Sequence, residues 1–145
     1  MRQISDSLAG LGRFSSIPRQ QLFAEQTPLE PLGNLSRHCG GASIFVKRDD
    51  CTALAFGGNK VRQLEFYLGE AVALQADTVL ITGAVQSNFV RTAAAAANKL
   101  GMRCHIQLEE RVAEPPPQYR ESGNVLLDKL LGATLHSYAT GEDES

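Results

Sequence analysis

The feature that most constrains the fold is an alternation of apolar runs with helical patterns after residue 60. Continuous apolar runs that end at glycine are typical of buried parallel strands, and apolar residues at spacings of three and four indicate helices. Such an alternation predicts an α/β fold with a parallel sheet and flanking helices. The predicted elements are strands over Ala42–Lys47, Asp77–Gly83, Met102–Leu108 and from about Ala133, and helices from Lys60, over Ser87–Gly101 and over Gly123–Leu131. We expect the first 40 residues to be irregular.

Length and charge narrow the class of protein. With 145 residues and 43% apolar content, the chain is large enough for one domain with a real core. A net charge of −2 argues against nucleic acid or an acidic membrane surface as the main partner. No apolar run approaches the ~20 residues of a membrane span, and no secretory signal is visible, so we expect a cytoplasmic protein.

The cysteines and histidines show no metal-binding pattern. The three cysteines are far apart and odd in number, which is typical of free thiols in a reducing compartment. The three histidines have no ligand spacing with one another or with the cysteines. We therefore expect no metal site.

A glycine-rich turn leads directly into a lysine at the start of the first long predicted helix. Gly57 and Gly58 allow positive φ or close approach of the backbone to a ligand, and Asn59 is a good helix N-cap. One interpretation is an ordinary capped helix start with Lys60 in solvent. The other is functional, because the helix macrodipole disfavours a cation there and so favours a free amine that can attack a carbonyl. The spacing alone leaves both open.

A second turn, "GAVQSN" (residues 83–88), joins the next predicted strand to its helix. Ligands of open α/β sheets bind at this position, and the free N–H groups of a helix start suit an anion such as a carboxylate. Gln86, Ser87 and Asn88 add side-chain donors. An ordinary capping turn and a carboxylate-binding turn both explain this motif.

Three stretches together resemble one known family. They are "KRDDCTALAFGGNKVRQLEF", "ITGAVQSNFVRTAAAAANKLGM" and "GNVLLDKLLGA". They are similar to the D-cysteine desulfhydrase and 1-aminocyclopropane-1-carboxylate deaminase family, whose members use pyridoxal 5'-phosphate and have the tryptophan-synthase-β-like fold (pyridoxal-phosphate fold type II). The resemblance extends from about Pro28 to His136. GGNK combined with QSN is more specific than either motif alone.

The resemblance implies a cofactor site. Lys60 corresponds to the lysine that holds pyridoxal phosphate as a Schiff base, and it is the expected catalytic residue. Asn88 corresponds to the residue that hydrogen-bonds the ring hydroxyl oxygen of the cofactor. Asn59 precedes the lysine in the same motif and is expected to shape the turn. The segment 48–50 also matches the family, and we expect its role to be structural.

The resemblance also implies a site for the carboxylate of a small amino acid. Gln86 and Ser87, with neighbouring N–H groups, correspond to this site, and Asn88 and Phe89 belong to it. Relatives usually have histidine or glutamine at the position of Phe89, which cannot hydrogen-bond, so substrate choice depends on this position. "SN-x-VR" is closer to the desulfhydrase branch. We therefore expect D-cysteine to be converted to pyruvate, ammonia and sulfide, with 1-aminocyclopropane-1-carboxylate deamination as the alternative.

Family members are considerably longer than this chain. Residues 1–57 correspond to the N-terminal part of the large cofactor domain and residues 58–145 to most of the small α/β domain, while the C-terminal half of the fold is absent. The sequence contains no glycine-rich phosphate-binding loop. We therefore expect a truncated chain with weak cofactor binding and little turnover alone, and homodimers for full-length relatives. The remaining alternative is a non-catalytic product or an α/β module that binds an amino acid.

Overall fold

The structure is a computed structural model that describes residues 12 and 14–138. It contains four α-helices, five strands and three short 3-10 helices within those residues. The helices are α1 (Gly33–Cys39), α2 (Lys60–Ala73), α3 (Asn88–Lys99) and α4 (Gly123–Leu130). The strands are β1 (Leu29–Pro31), β2 (Phe45–Lys47), β3 (Thr78–Ala84), β4 (Arg103–Glu109) and β5 (Thr134–Tyr138). The 3-10 helices are Phe14–Ser16, Asp49–Cys51 and Pro117–Arg120.

The last three strands form a parallel sheet in the order β3-β4-β5. Thr78 lies opposite Arg103 in the first pair, and His105 lies opposite Thr134 in the second. Helices α3 and α4 make the two crossovers. The predicted α/β fold with a parallel sheet and flanking helices is confirmed, and the predicted elements after residue 60 agree with the observed ones to within a few residues.

The alanine run in α3 places this helix at the centre of the core. Ala93 and Ala96 belong to a hydrophobic cluster with Val61 and Leu64 of α2. Ala94 and Ala97 belong to a second cluster, which includes β4 and α4. Because alanine is small, α3 can approach α2 on one side and the sheet and α4 on the other. The packing of α2 against α3 brings the start of each helix to the same region of the molecule.

The prediction of an irregular N-terminal part is wrong for residues 29–39. Strand β1 pairs antiparallel with β2, with Glu30 opposite Val46, and α1 lies between the two strands. The pairing partners are far apart in sequence, so the local pattern does not reveal them. The remaining prediction, a domain boundary after residue 57, is not tested by these elements.

One face of the parallel sheet is exposed in the part of the chain that the structure describes. In β4, Cys104 and Ile106 are buried on the helix side, whereas the alternate side chains point away from it. Leu80 on the open face is 79% exposed. A hollow of about 430 Å³ on this face is lined by residues from all three strands, among them His105 and His136. None of the described helices combines the length and the apolar character of a membrane span.

Candidate functional site

The loop before Lys60 has an unusual backbone. Four consecutive residues have positive φ: Ala55 (46°), Phe56 (66°), Gly57 (76°) and Gly58 (120°). Glycine adopts this region readily, but alanine and phenylalanine do so rarely and at a cost in free energy. Phe56 is 82% exposed, so burial of its ring does not explain the conformation. The surrounding structure must therefore hold this loop in place.

Hydrogen bonds to the backbone hold the loop. The Gly58 N–H donates to the Asp49 carbonyl at 2.9 Å, and Thr52 Oγ1 donates to the Gly58 carbonyl at 3.0 Å. A Cβ on Gly57 would lie 2.1 Å from the Asp50 carbonyl oxygen. Only glycine fits at position 57, because any other residue would overlap the preceding turn.

The segment 48–50 anchors this turn to the rest of the chain. The Asp49 carboxylate accepts from Arg62 Nε at 2.9 Å and Arg62 Nη2 at 2.7 Å, and from Thr27 Oγ1 at 3.0 Å. The hydrogen bonds from Arg62 are the main reason that the pKa of Asp49 lies below its usual value. Arg48 pairs with Asp50 on the surface. These contacts stabilise the position of segment 48–50 and of the turn that follows it.

Lys60 is the first residue of α2 and is half-buried. Asn59 has helical backbone angles (φ −66°, ψ −16°), and its side chain makes no capping hydrogen bond, so the interpretation of an asparagine-capped start is wrong. The amines of Lys47 and Lys99 donate to the carbonyls of Thr27 and Leu22. Within the described part of the chain, the Lys60 amine has no such partner.

The second helix start has a side-chain cap, one of the two interpretations that the sequence left open. Ser87 is the N-cap of α3, and its Oγ accepts from the Phe89 N–H at 3.2 Å. The turn follows directly after β3. A Cβ on Gly83 would lie 2.8 Å from Val90 Cγ1 and 3.3 Å from Ser87 Oγ, so glycine at position 83 allows α3 to begin close to the end of the strand.

The side chain of Gln86 is engaged within the chain. Its Nε2 donates to the carbonyls of Tyr119 and Ser122, and its Oε1 accepts from the Asn124 N–H at 2.9 Å. These contacts fix the segment that leads into α4. The amide donors expected to contact a substrate are thus in use here, and the expected role of Gln86 in carboxylate binding stays a prediction.

Phe89 contributes packing at the same turn. Its half-buried side chain packs against the hydrophobic cluster shared by α2 and α3. Its backbone N–H is taken by Ser87 Oγ. A role of Phe89 in substrate binding stays a prediction, and its ring already has a structural use between the two helices.

The guanidinium of Arg91 connects the two helix starts. Arg91 Nη2 donates to the Gly57 carbonyl at 3.2 Å, and Nη1 donates to Asn88 Oδ1 at 2.9 Å. Nη1 also donates to Asn124 Oδ1 at 2.9 Å, and Asn124 Nδ2 donates to Asn88 Oδ1 at 3.1 Å. The loop before Lys60 and the asparagine after Ser87 therefore meet at one side chain.

Sequence reasoning missed Arg91 and Asn124. A signal was present, because Arg91 follows Asn88 by three residues, which places both on one side of a helix. Arg91 is separated from the alanine-rich core run by Thr92 alone. An arginine so close to the core needs hydrogen-bond partners. Its long-range partner, the Gly57 carbonyl, is 34 residues away in sequence and leaves no local pattern.

A buried carboxyl of α4 influences the charge of Arg91. Arg91 is 8% exposed and Asp128 of α4 is fully buried. Burial lowers the pKa of Arg91, whereas the charge of Asp128 acts in the opposite direction. Burial raises the pKa of Asp128 to about 6, which the charge of Arg91 partly offsets. Both carboxylate oxygens of Asp128 and the Nε of Arg91 lack a hydrogen-bond partner among the described residues.

The donors at this site fit the group that the resemblance implies. Lys60 offers a primary amine for an aldehyde, and the side-chain N–H₂ of Asn88 suits a hydroxyl oxygen. The first turn of α3 offers backbone N–H groups for a carboxylate. Two hollows on the chain, of about 430 and 470 Å³, are lined by neither Lys60 nor Asn88.

Comparison with known proteins gives concordant matches. A family model described as "Pyridoxal-phosphate dependent enzyme" matches residues 21–145. The D-cysteine desulfhydrase of Klebsiella pneumoniae (strain 342) is 49% identical over 129 residues, which are 89% of this chain and 38% of that protein. The 1-aminocyclopropane-1-carboxylate deaminase of Methylobacterium nodulans is 44% identical over 127 residues, 86% of this chain and 38% of that protein. The chain thus spans about 38% of the length of these relatives.

Solved structures support the same fold. A homologue of 1-aminocyclopropane-1-carboxylate deaminase superposes with a TM-score of 0.77 at 39% identity, covering 89% of this chain and 37% of that one. Threonine deaminase isoform 2 from Solanum lycopersicum gives a TM-score of 0.63 at 22% identity, covering 84% of this chain and 30% of that one. The second similarity shows the fold alone.

Proposed function

The chain belongs to the family of pyridoxal-phosphate-dependent enzymes, and we propose that its two connected helix starts form the lysine and carboxylate side of a D-cysteine desulfhydrase site. Membership confirms the resemblance seen in the sequence, the cofactor and the type II fold. A deaminase and a desulfhydrase are both among the relatives that match, so the relatives do not agree on one substrate. The substrate therefore belongs to the proposal.

One observation supports the site above all others. The guanidinium of Arg91 hydrogen-bonds both to the loop that precedes Lys60 and to Asn88. The loop that leads into the lysine and the amide of the asparagine thereby meet at one side chain, which supports a shared site. Such a pair suits a cofactor that offers an aldehyde and a neighbouring hydroxyl.

Each residue has a task that its chemistry explains. The Lys60 amine would hold the cofactor through its aldehyde, and the same amine could move a proton as a base. Asn88 Nδ2 would donate to the ring hydroxyl oxygen. The N–H groups at the start of α3, beside Ser87, bind the substrate carboxylate. The cofactor, when bound, supplies an electron sink for the negative charge that forms next to the amino nitrogen.

D-cysteine is the preferred substrate of the proposal. The Klebsiella pneumoniae desulfhydrase is 49% identical, against 44% for the Methylobacterium nodulans deaminase. The second candidate, 1-aminocyclopropane-1-carboxylate, is favoured by the deaminase homologue that superposes with a TM-score of 0.77. Release of sulfide distinguishes the two substrates, because only D-cysteine carries a thiol.

The first experiment is borohydride trapping of the cofactor. The chain is incubated with pyridoxal phosphate, reduced, digested and mapped by mass spectrometry. We expect the label on Lys60 to exceed the label on Lys129, an exposed lysine of α4 that serves as internal reference. Since Lys47 and Lys99 donate to backbone carbonyls, they should carry little label.

The Lys60→Ala variant separates the alternatives. If the chain is a non-catalytic binder of a carboxylate, the variant keeps its affinity for amino acids, and wild-type label is spread evenly over the lysines. That outcome would contradict the proposed function.

Competition tests the substrate. An amino acid that occupies the site displaces Lys60 and lowers its label. Because every cysteine reacts with the free cofactor in solution, L-cysteine at the same concentration is the matched control. We expect D-cysteine to lower the Lys60 label more than L-cysteine and more than 1-aminocyclopropane-1-carboxylate. A stronger effect of the cyclopropane compound would favour the deaminase instead.

A further inference from the structure

We propose that Arg91, assisted by Asn124, is a positioning residue that fixes the amide of Asn88 toward the cofactor and holds the Lys60 loop beside it. This inference rests on the proposed function, since it concerns the same site. It gives a role to two residues that lie within the family-like stretches but to which the sequence assigned none. Neither residue needs to touch the cofactor itself.

The orientation of the Asn88 amide follows from its partners. Arginine has only donors, so the Asn88 atom that faces Arg91 Nη1 at 2.9 Å must be the oxygen. Asn124 Nδ2 donates to the same oxygen at 3.1 Å. With the oxygen bound to two donors, the Nδ2 of Asn88 must point the other way. The network thus selects the face of the amide that can donate to a hydroxyl oxygen.

The same guanidinium restrains the loop before Lys60. The hydrogen bonds that join Gly58 to Asp49 and to Thr52 lie within the turn itself. Within the described residues, the bond from Arg91 Nη2 to the Gly57 carbonyl is the one hydrogen bond between residues 54–59 and α3. A loop with four positive φ values stores strain and needs such restraint. Arg91 therefore sets the position of Lys60 relative to Asn88.

The geometry requires arginine rather than any cation. The planar fork of arginine directs two nitrogens to two partners, whereas lysine presents a single nitrogen. Lysine at position 91 would keep the charge near Asp128 but would reach only one of the two partners, Gly57 or Asn88. The substitution Arg91→Lys therefore removes the connection and preserves the charge.

The test uses the ratio of borohydride-fixed label on Lys60 to that on Lys129. We expect Arg91→Lys to lower this ratio about tenfold, the effect of losing one hydrogen bond to an ionised group. Asn88→Asp keeps an acceptor for Arg91 but loses the Nδ2 donor, and it should lower the ratio similarly without loss of thermal stability. Asn124→Ala, which removes one of the two donors to Asn88 Oδ1, should have a smaller effect, about threefold.

Arg19→Lys is the matched control for stability. Arg19 bonds the buried carboxylate of Glu65 in α2 but contacts neither Asn88 nor the loop. This variant should lose thermal stability and keep the wild-type label ratio. If Arg91→Lys and Arg19→Lys lower the ratio equally for an equal loss of stability, Arg91 acts through stability alone and the inference is overturned.

A second readout needs no cofactor. The side-chain N–H₂ signals of Asn88 in a nitrogen-15 NMR spectrum should be well separated in the wild type, because the amide is held. In Arg91→Lys they should collapse toward the position of a mobile amide, while Arg19→Lys leaves them unchanged. Unchanged signals in Arg91→Lys would overturn the inference.

The outcomes distinguish the two proposals. A wild-type chain that shows no preference for Lys60 overturns the proposed function and this inference with it. A wild-type preference that survives in Arg91→Lys overturns this inference alone. If Arg91→Lys does not fold, Asn124→Ala decides in its place, because an unchanged label ratio in that variant has the same consequence.

Discussion

The two helix starts of the candidate site are built in opposite ways. The start of α2, which carries Lys60, has no side-chain cap and follows a loop with four positive φ values. The start of α3 is capped by Ser87, and Gln86 just before it accepts a hydrogen bond from the Asn124 N–H of α4. The first start depends on its loop, whereas the second has a side-chain cap and a bond to a neighbouring helix.

This difference matches the tasks that we propose for the two starts. An amine that is first bound and then displaced needs room to move, and Lys60 has no hydrogen-bond partner among the described residues. An amide and N–H groups that recognise fixed atoms need a rigid support. Substitutions on each side should therefore have effects of different kinds and sizes, and the predictions below follow from the largest to the smallest.

Gly57→Ala should have the largest effect. Its Cβ would lie 2.1 Å from the Asp50 carbonyl oxygen at a φ of +76°, so both overlap and backbone strain oppose it. We expect a loss of about 3–4 kcal/mol in the free energy of unfolding, measured by urea denaturation. Gly58→Ala is the control, because a Cβ there meets nothing within 4 Å and only strain remains. It should cost about 1–2 kcal/mol. Equal losses would show that the overlap at Gly57 is relieved.

Asp128→Asn should remove a pH dependence of the free energy of unfolding. The buried Asp128 carboxyl lies in α4 and interacts with Arg91 of α3. The pKa of the buried carboxyl, about 6, lies above the ordinary 3.8. Between these values the folded chain binds more protons than the unfolded chain, so the free energy of unfolding falls as pH rises. The loss amounts to about 2.4 kcal/mol between pH 4 and pH 7 in the wild type and is absent in the variant.

Urea denaturation across this pH range measures the difference. Asp77→Asn is the control, since Asp77 is exposed and its pKa lies below 3.8, outside the window. A wild-type curve parallel to that of Asp128→Asn would show that the buried carboxyl does not titrate there.

Ser87→Ala should have a moderate effect. It removes the side-chain acceptor for the Phe89 N–H and leaves the rest of the turn in place. Loss of such a cap costs about 1 kcal/mol of stability. Thermal unfolding followed by circular dichroism tests this value, and Ser87→Thr, which keeps the hydroxyl, should restore most of the loss.

Asn59→Ala should have the smallest effect on stability. The Asn59 side chain makes no capping hydrogen bond at the start of α2. We expect a change below about 0.5 kcal/mol in the same unfolding experiment. A loss as large as that of Ser87→Ala would show that the two helix starts are built alike and would break the comparison.

The sequence predicted the parts of the structure that local patterns encode. The elements from Lys60 to Tyr138, the parallel sheet and the Ser87 turn follow from periodicity and capping residues. The positive φ values of Ala55 and Phe56 were not predictable, because their cause is the overall path of the loop rather than the residues themselves. The pairing of β1 with β2 depends on partners distant in sequence.

The candidate site was predicted in part. The sequence motifs singled out both helix starts, and the structure brings them together. The link through Arg91 was missed because it depends on how α2 packs against α3. Buried Asp128 was missed for a similar reason, since its position in the apolar face of α4 is visible only when the helix is docked.

The contact between Arg91 and Gly57 has an evolutionary consequence. The atom that accepts the hydrogen bond is a backbone carbonyl, which every amino acid provides. Selection on this link would therefore leave its trace at positions 88, 91 and 124, while position 57 would change only with the shape of its turn. A related enzyme that lost the arginine would need compensating changes elsewhere, and its loop before the lysine is the place to look for them.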